Sequence, residues 1–240
     1  MRILFVGTEY VGKSTLLQLL GDYYRKRGRY VHPDDHFSLP DSTLSPESRA
    51  ASVAFGNDVK ERMQRMQIHY HIEVLKSYEN VMLSGWHIEE AVYSAMYGED
   101  PDSPYYPNYG YSFQRIYESM VLEARLPNLV LLHMTASDEA IRQRMQDDPH
   151  EYQIVRAEHI GEAKRRFEEE VEKSLFTLKG RRLDLDTTDQ TPQESFDELL
   201  RLSERMVTDG EVALRALPVP EGESEVRYEN GVRKVVAKDE

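Results

Sequence analysis

Cysteine is absent from the 240 residues, which excludes disulfide frameworks, cysteine-ligated zinc and thiol nucleophiles together. No stretch of about 18 uncharged apolar residues occurs, so no segment has the pattern of a membrane span. The apolar start is interrupted by Glu9 and Lys13 before a signal-peptide core forms, and a cytoplasmic location is expected. Positive charge is the scarcer sign: 30 Lys+Arg face 43 Asp+Glu, a formal net charge of −13. Sequence-independent binding to DNA or RNA needs a net basic face, so neither a nucleic-acid nor a membrane partner is expected. A nucleotide is not excluded, because one local cluster of cations and amides is enough to hold a phosphate. What remains is ordinary globular usage, 40% hydrophobic and 30% charged, in a length that suits one large domain with at most a small appendage.

Strand-like and helix-like patterns alternate along the chain. Arg2-Ile3-Leu4-Phe5-Val6 is a short buried strand stopped by Gly7. A helix is predicted over 13–27, with Gly28 as its stop, and a brief second strand over Arg29-Tyr30-Val31. A polar loop over 32–48 precedes a long helix over 56–78, with Val59, Met63, Met66, Tyr70 and Val74 as its expected apolar stripe. Val81-Met82-Leu83 is a third strand, followed by a helix over 88–96, a Tyr-rich loop over 98–111 and a helix over 112–125. Leu129-Val130-Leu131-Leu132 is the most apolar strand, and Ser137 caps a helix over 138–147. A charged helix is predicted over 157–178, with Ile160, Ala163, Phe167, Val171, Leu175 and Leu178 as its seam. A strand over 182–185 and a helix opened by Pro192 and running to about 207 complete the alternation. That alternation predicts a parallel sheet flanked by helices on both faces, a three-layer α/β fold. From about residue 209 the character changes, and Asn230-Gly231 between two alternating runs signals either a terminal hairpin or a loose tail.

Gly7-Thr8-Glu9-Tyr10-Val11-Gly12-Lys13-Ser14-Thr15 fits G-x-x-x-x-G-K-[ST] without a gap and lies between the first strand and the first helix, where its mechanism requires it. Glycines let the backbone wrap closely, so that successive N–H groups converge on a β-phosphate at the positive end of a helix. Lys13 reaches the β- and γ-phosphates, and the Ser14 hydroxyl is the expected Mg²⁺ contact. ATP and Mg²⁺ are the expected cofactors. The guanine-reading N-K-x-D and a D-x-x-G after a strand are both missing, which argues against a GTPase, and the length leaves no room for a motor or a large oligomeric ATPase. A small-molecule kinase is the natural class.

Beyond the P-loop, the order of segments over residues 1–205 resembles thymidylate kinase and the related deoxynucleoside kinases. Three stretches carry the resemblance: the P-loop ending in Gly12-Lys13-Ser14-Thr15; Val81-Met82-Leu83-Ser84-Gly85-Trp86-His87 with Tyr93-Ser94-Ala95-Met96-Tyr97-Gly98; and Leu126-Pro127-Asn128-Leu129 followed by Ala140-Ile141-Arg142-Gln143-Arg144-Met145. The resemblance implies a P-loop NTPase fold over 1–208 with a lid at about 142–166, phosphoryl transfer from ATP to a nucleoside monophosphate or nucleoside, and a homodimer, which the apolar seam around Phe167 would permit. The chain departs from the family where Gly85-Trp86 stands in place of its Asp-Arg pair, and no plain Walker B acid follows the Met134 strand.

Transfer to a hydroxyl needs alignment, cations on the developing charge and a carboxylate near the attacking oxygen. His32-Pro33-Asp34-Asp35-His36-Phe37 follows the second expected strand, at the edge where open α/β sheets place substrates. It resembles the Asp-Asp-Phe element of uridine kinase and related small-molecule kinases, which implies that Asp34 or Asp35 acts as base or orients magnesium; a turn aspartate after proline is the plain alternative. Glu89, beside Glu90, comes from the first turn of the helix after the third strand and could replace the lost aspartate, or it could merely complement the helix dipole. His87 sits at the same strand end. Among Arg142, Arg144, Arg156, Arg165 and Arg166, Arg144 is the guanidinium singled out for the transferring phosphoryl group, against pairing with Glu139, Asp147 or Asp148 on the helix surface. The run Tyr105-Tyr106-Pro107-Asn108-Tyr109-Gly110-Tyr111 either stacks on a nucleobase or packs on protein. Two other readings compete: a kinase for a non-nucleotide metabolite, suggested by the Asp34-Asp35 element, and an ATP-binding regulatory module without small-molecule kinase activity, suggested by the missing acids.

Overall fold

The computed structural model describes residues 1–35, 44–103, 121, 123–126, 129–151, 153–217, 224–229 and 232–237. Its centre is a five-stranded parallel sheet in the order β2-β3-β1-β4-β5, built from β1 (Arg2–Val6), β2 (His32–Asp35), β3 (Val81–Ser84), β4 (Leu129–Thr135) and β5 (Arg182–Asp186). The inner strands are buried on both faces, which is why they are near-continuous apolar runs. Helices cover the two faces. On one side α1 (Lys13–Lys26) packs with α8 (Pro192–Ser203); on the other α4 (Trp86–Tyr97) packs with α3 (Asn57–Ser77) and α6 (Ile160–Lys173). The arrangement is the expected three-layer α/β fold.

The second strand begins three residues later than expected, and the reason lies in how α1 ends. Gly28 adopts φ +67° and the Arg29 N–H returns to the Tyr24 carbonyl at 3.0 Å, so residues 28 and 29 are spent closing the helix. Pairing with β3 starts only at His32, and Asp34 and Asp35 therefore lie within the strand rather than in a loop after it. Pro33 is tolerated because β2 is an edge strand.

A helix not foreseen, α2 (Pro46–Val53), begins at the end of the expected polar loop; the Ser45 side chain accepts from the Ser48 N–H, and its first position is proline. The stripe expected on α3 is also corrected. Val59, Met66 and Tyr70 are exposed, whereas Ile68, Ile72, Val74 and Leu75 are buried. Docking against α4 fixes this face: the Trp86 indole N–H donates to the Ile68 carbonyl at 3.4 Å.

The charged helix predicted over 157–178 is broken. A 3₁₀ turn at Ala157–His159 leads into α6, and buried Ser174 interrupts it in extended conformation before α7 (Leu175–Leu178). The Ser174 hydroxyl caps the Phe176 N–H at 3.1 Å and donates to Glu123. Ile160, Ala163, Phe167 and Val171 are fully buried in the chain's own core, so that seam is not a free surface for a second copy; Leu178 is exposed. The last expected helix stops at Ser203. Beyond it, α9 (Asp209–Ala216) is capped by Thr208 and tied to α1 through a bond from Tyr24 to Glu211. β6 (Ser224–Glu229) and β7 (Val232–Ala237) form an antiparallel pair of their own, with Asn230-Gly231 outside the described residues. Residues 104–111 of the Tyr-rich loop and most of the helix expected over 112–125 also lie outside them.

Candidate functional site

β1 ends in the core and the chain turns at once into α1 through a loop whose shape only certain residues permit. Gly7 has φ +146°, Tyr10 φ +66° and Gly12 φ +93°. A Cβ on Gly7 would collide with the Met134 carbonyl oxygen, so glycine is required for the close approach to β4. α1 begins with no side-chain cap and no acid in its first turn. Its first N–H groups are therefore unsatisfied donors at a positive helix end, a ready anion site. Lys13 folds back over the loop, donating to the Gly7 carbonyl and, at 3.4 Å, to that of Thr8. Ser14 and Thr15 are exposed. The loop from Gly7 to Thr15 and the start of α1 thus form a cradle with the shape and polarity to take an anionic group such as a phosphate.

The loop forms the floor of a cleft of about 790 Å³, inside the range of roughly 300–1,000 Å³ that small-molecule sites occupy. Ser84 and Glu89 line it from the β3 end, Arg49 from α2, Arg144 and Asp147 from α5 (Asp138–Asp147), His150 and Glu151 from the segment after α5, and Thr187 and Gln190 from beyond β5.

At the end of β3, Gly85 has φ +77° and Trp86 φ +56°, an unusual conformation for a bulky residue. The pair reverses the chain so sharply that α4 starts at Trp86, whose side chain is fully buried. The positions that carry the Asp-Arg pair in the resembling family thus serve a turn and the core here. The acid arrives one helical turn later: Glu89 Oε1 lies 2.9 Å from Lys13 Nζ, with both side chains largely buried. Asp35 occupies the same sheet edge by backbone register, since Asp35 pairs with Ser84 and Ser84 with Phe5. At about 4.8 Å per strand spacing, Asp35 stands two strands, or about 10 Å, from the strand that feeds the P-loop. The side chains of Asp34 and Asp35 are outside what the structure describes.

The arginines separate clearly. Arg165 pairs with Glu169 and Arg166 with Glu162 along α6, Arg156 pairs with Asp100, and Arg142 lies 4.0 Å from Asp138 on the surface of α5. Arg144 alone of the five lines the cleft. It donates to the Tyr10 carbonyl at 2.9 Å, to Thr187 Oγ1 at 3.1 Å and to the Thr187 carbonyl at 2.6 Å, clamping the P-loop to the end of β5. Burial lowers its pKa, yet a guanidinium stays charged at neutral pH.

His87 lies behind the site rather than in it. It is buried, stacked on Trp86 at 4.2 Å and 2.8 Å from Glu123, whose carboxylate accepts from the Leu175 N–H at 2.7 Å. Tyr93, also buried, accepts the Glu9 N–H at 3.1 Å and so braces the P-loop from α4. Burial, reinforced by the nearby Glu89 and Glu9, pushes its phenol well above the usual tyrosine range, so it remains a neutral support.

Contacts from the P-loop to the segment after α5 have no counterpart in the sequence reading. Glu9 Oε2 accepts from the N–H groups of Ile154 at 2.8 Å and Val155 at 2.7 Å. The Tyr10 hydroxyl accepts from the His150 N–H at 2.9 Å and bonds Gln153 at 3.1 Å, and its ring stacks on His150 with centroids 4.1 Å apart. Arg49 pairs with Glu151 across the cleft mouth. Two variable positions of the motif, Glu9 and Tyr10, thus hold the segment after α5 onto the P-loop. A P-loop pattern constrains only its glycines, lysine and hydroxyl, so nothing in its spacing pointed to this use.

No protein-family profile matches the sequence, and no curated protein matches it. Solved structures do. The thymidylate kinase from Candida albicans is similar with a TM-score of 0.57 at 14% identity, over 85% of this chain and 90% of that one. Deoxyadenosine kinase from M. mycoides with bound dCTP gives 0.56 at 14% identity, over 85% of this chain and 100% of that one. The YorR protein from Bacillus subtilis, in complex with phosphorylated GDP, gives 0.53 at 13% identity, over 85% and 96%. At such identities the likeness is one of fold. The chain has the three-layer P-loop fold of these nucleoside and nucleotide kinases.

Proposed function

We propose that the protein is an ATP-dependent kinase that transfers the γ-phosphoryl group to a nucleoside or nucleoside monophosphate. The observation that carries this reading is the Glu89 carboxylate held 2.9 Å from the P-loop lysine, on the sheet edge that Asp35 shares two strands away. The fold's solved neighbours, a thymidylate kinase and a deoxyadenosine kinase among them, support the substrate class.

The parts divide by place. The amides of Gly7 to Thr15 and the Lys13 ammonium bind the donor phosphates, and Arg144 holds the loop that presents those amides. The Ser14 hydroxyl would hold Mg²⁺ arriving with ATP, which would supply charge neutralisation between the phosphates. Glu89 accepts from Lys13 Nζ and holds its carboxylate beside the phosphate cradle. Asp35, on the acceptor side, accepts the proton of the attacking hydroxyl, with Asp34 as its neighbour in the strand.

ADP release from Mg-ATP, measured against nucleosides, their 5′-monophosphates and sugar alcohols, tests the reading. Stimulation by a nucleoside or its monophosphate, abolished in Lys13→Ala, is expected. A panel on which no nucleoside or nucleotide stimulates, despite measurable ATP binding, would overturn it.

A further inference from the structure

Charge develops on the three equatorial oxygens of a phosphoryl group in flight, and donors already in place lower that barrier most. Among the described residues lining the cleft, the cationic candidates beside Lys13 are Arg49, Arg144 and His150. Arg144 already gives three hydrogen bonds to Tyr10 and Thr187, and Arg49 is paired with Glu151. Residues 148–155, Asp-Pro-His-Glu-Tyr-Gln-Ile-Val, contain no lysine or arginine. The segment that lies over the P-loop therefore has a single side chain able to bring positive charge to it.

That side chain is unusually well placed. His150 is tied to the P-loop three times: its N–H donates to the Tyr10 hydroxyl at 2.9 Å, its ring stacks on Tyr10 at 4.1 Å, and its Nδ1 lies 3.3 Å from Glu9 Oε1. An ionised carboxylate only accepts, so Nδ1 is the donor in the last contact. Nε2 is not used in that contact, and His150 lines the cleft. With its proton on Nδ1 alone, the ring would turn a lone pair toward phosphate oxygens. Only the imidazolium donates to Glu9 and to a phosphate at the same time.

We infer that His150 is a catalytic residue of this kinase, an imidazolium that donates from Nε2 to the phosphoryl group during transfer, with Glu9 and Tyr10 as its positioning residues. The inference rests on the kinase reading above. In the step, the bond from the γ-phosphorus to the bridging oxygen of ADP breaks as the bond to the acceptor oxygen forms. The acceptor's proton passes to Asp35, and His150 keeps its own. The charged and titratable groups around the ring are Glu9 and Tyr10 from the P-loop, Asp148 and Glu151 on either side of it, and Arg49 of α2 through Glu151.

The test is kcat and KM for Mg-ATP in wild type, His150→Gln and His150→Arg, with thermal unfolding to show that each variant is folded. His150→Gln is expected to lose about 10²-fold in kcat while KM for ATP stays within about threefold, and His150→Arg should keep most of the activity. A His150→Gln enzyme with wild-type kcat would overturn the inference, as would an arginine variant no better than glutamine. Wild type without acceptor-dependent turnover would remove the kinase reading and this inference with it. Turnover abolished by Lys13→Ala but untouched by His150→Gln would remove this inference alone.

Discussion

Glu89 and Trp86 stand one helical turn apart and exchange the roles that their positions would suggest. Trp86, at a position that carries part of a charged pair in the resembling family, is buried and bonded to α3; Glu89, which a dipole argument alone would explain, lies beside the P-loop lysine. The sequence shows both residues but not this exchange, because it depends on two successive positive-φ residues at the end of β3, and a tryptophan gives no local sign of adopting one. The lysine itself was legible from spacing alone, since phosphate binding leaves few choices of residue. Glu89→Gln preserves size and removes the charge. It should lower kcat by about 10²-fold with ATP affinity retained, because Lys13 loses a competing partner. Steady-state kinetics and an ATP titration check this. A kcat within about twofold of wild type would return Glu89 to a helix-capping role.

The elements were legible where their neighbours merely confirm a local pattern. β1, β3, β4 and β5, and the helices opened by Gly12, Ser137 and Pro192, fall close to where periodicity and caps place them. The failures come where tertiary pairing selects among local options: β2 waits for β3, α3 turns its isoleucines rather than its methionines inward, and Ser174 breaks a seam that continues on paper. One buried group gives the β4–β5 face a pH signature. His133 lies 3.4 Å from both Glu168 and Asp184, but burial outweighs these carboxylates, with Arg182 opposing them too, and holds its pKa below the usual histidine value. The unfolded chain binds this proton near pH 6.5 and the folded chain resists it, so unfolding takes up a proton below that pH. The contribution is full above about pH 6.5 and declines as the solution is acidified through that value. Thermal unfolding of wild type and His133→Gln between pH 7.5 and 5 should show the steeper acid loss in wild type. Equal slopes would contradict the assignment.

At the scale of the molecule, the alternation of strands and helices was sufficient for the fold, and the P-loop placed the site at the C-terminal edge of the sheet. The cleft's lid contacts were not legible, because Glu9 and Tyr10 meet residues about 140 positions away. At the C-terminal end, β6 and β7 pair only with each other, in a sheet of their own. A two-stranded sheet adds little stability by itself, whereas α9 is bonded into α1 through Glu211. A chain ending at Leu217 should therefore unfold within about 2 °C of the full chain and keep its ATP affinity. A larger loss would make the hairpin part of the folded unit.

ADP can also be released to water, so the most direct test of the account is the acceptor itself. Mass spectrometry of nucleosides and nucleoside monophosphates incubated with Mg-ATP and wild type should show one of them gaining a single phosphoryl group, with none gained in the presence of Lys13→Ala. Nucleotide that binds the P-loop without any acceptor being phosphorylated would contradict the account.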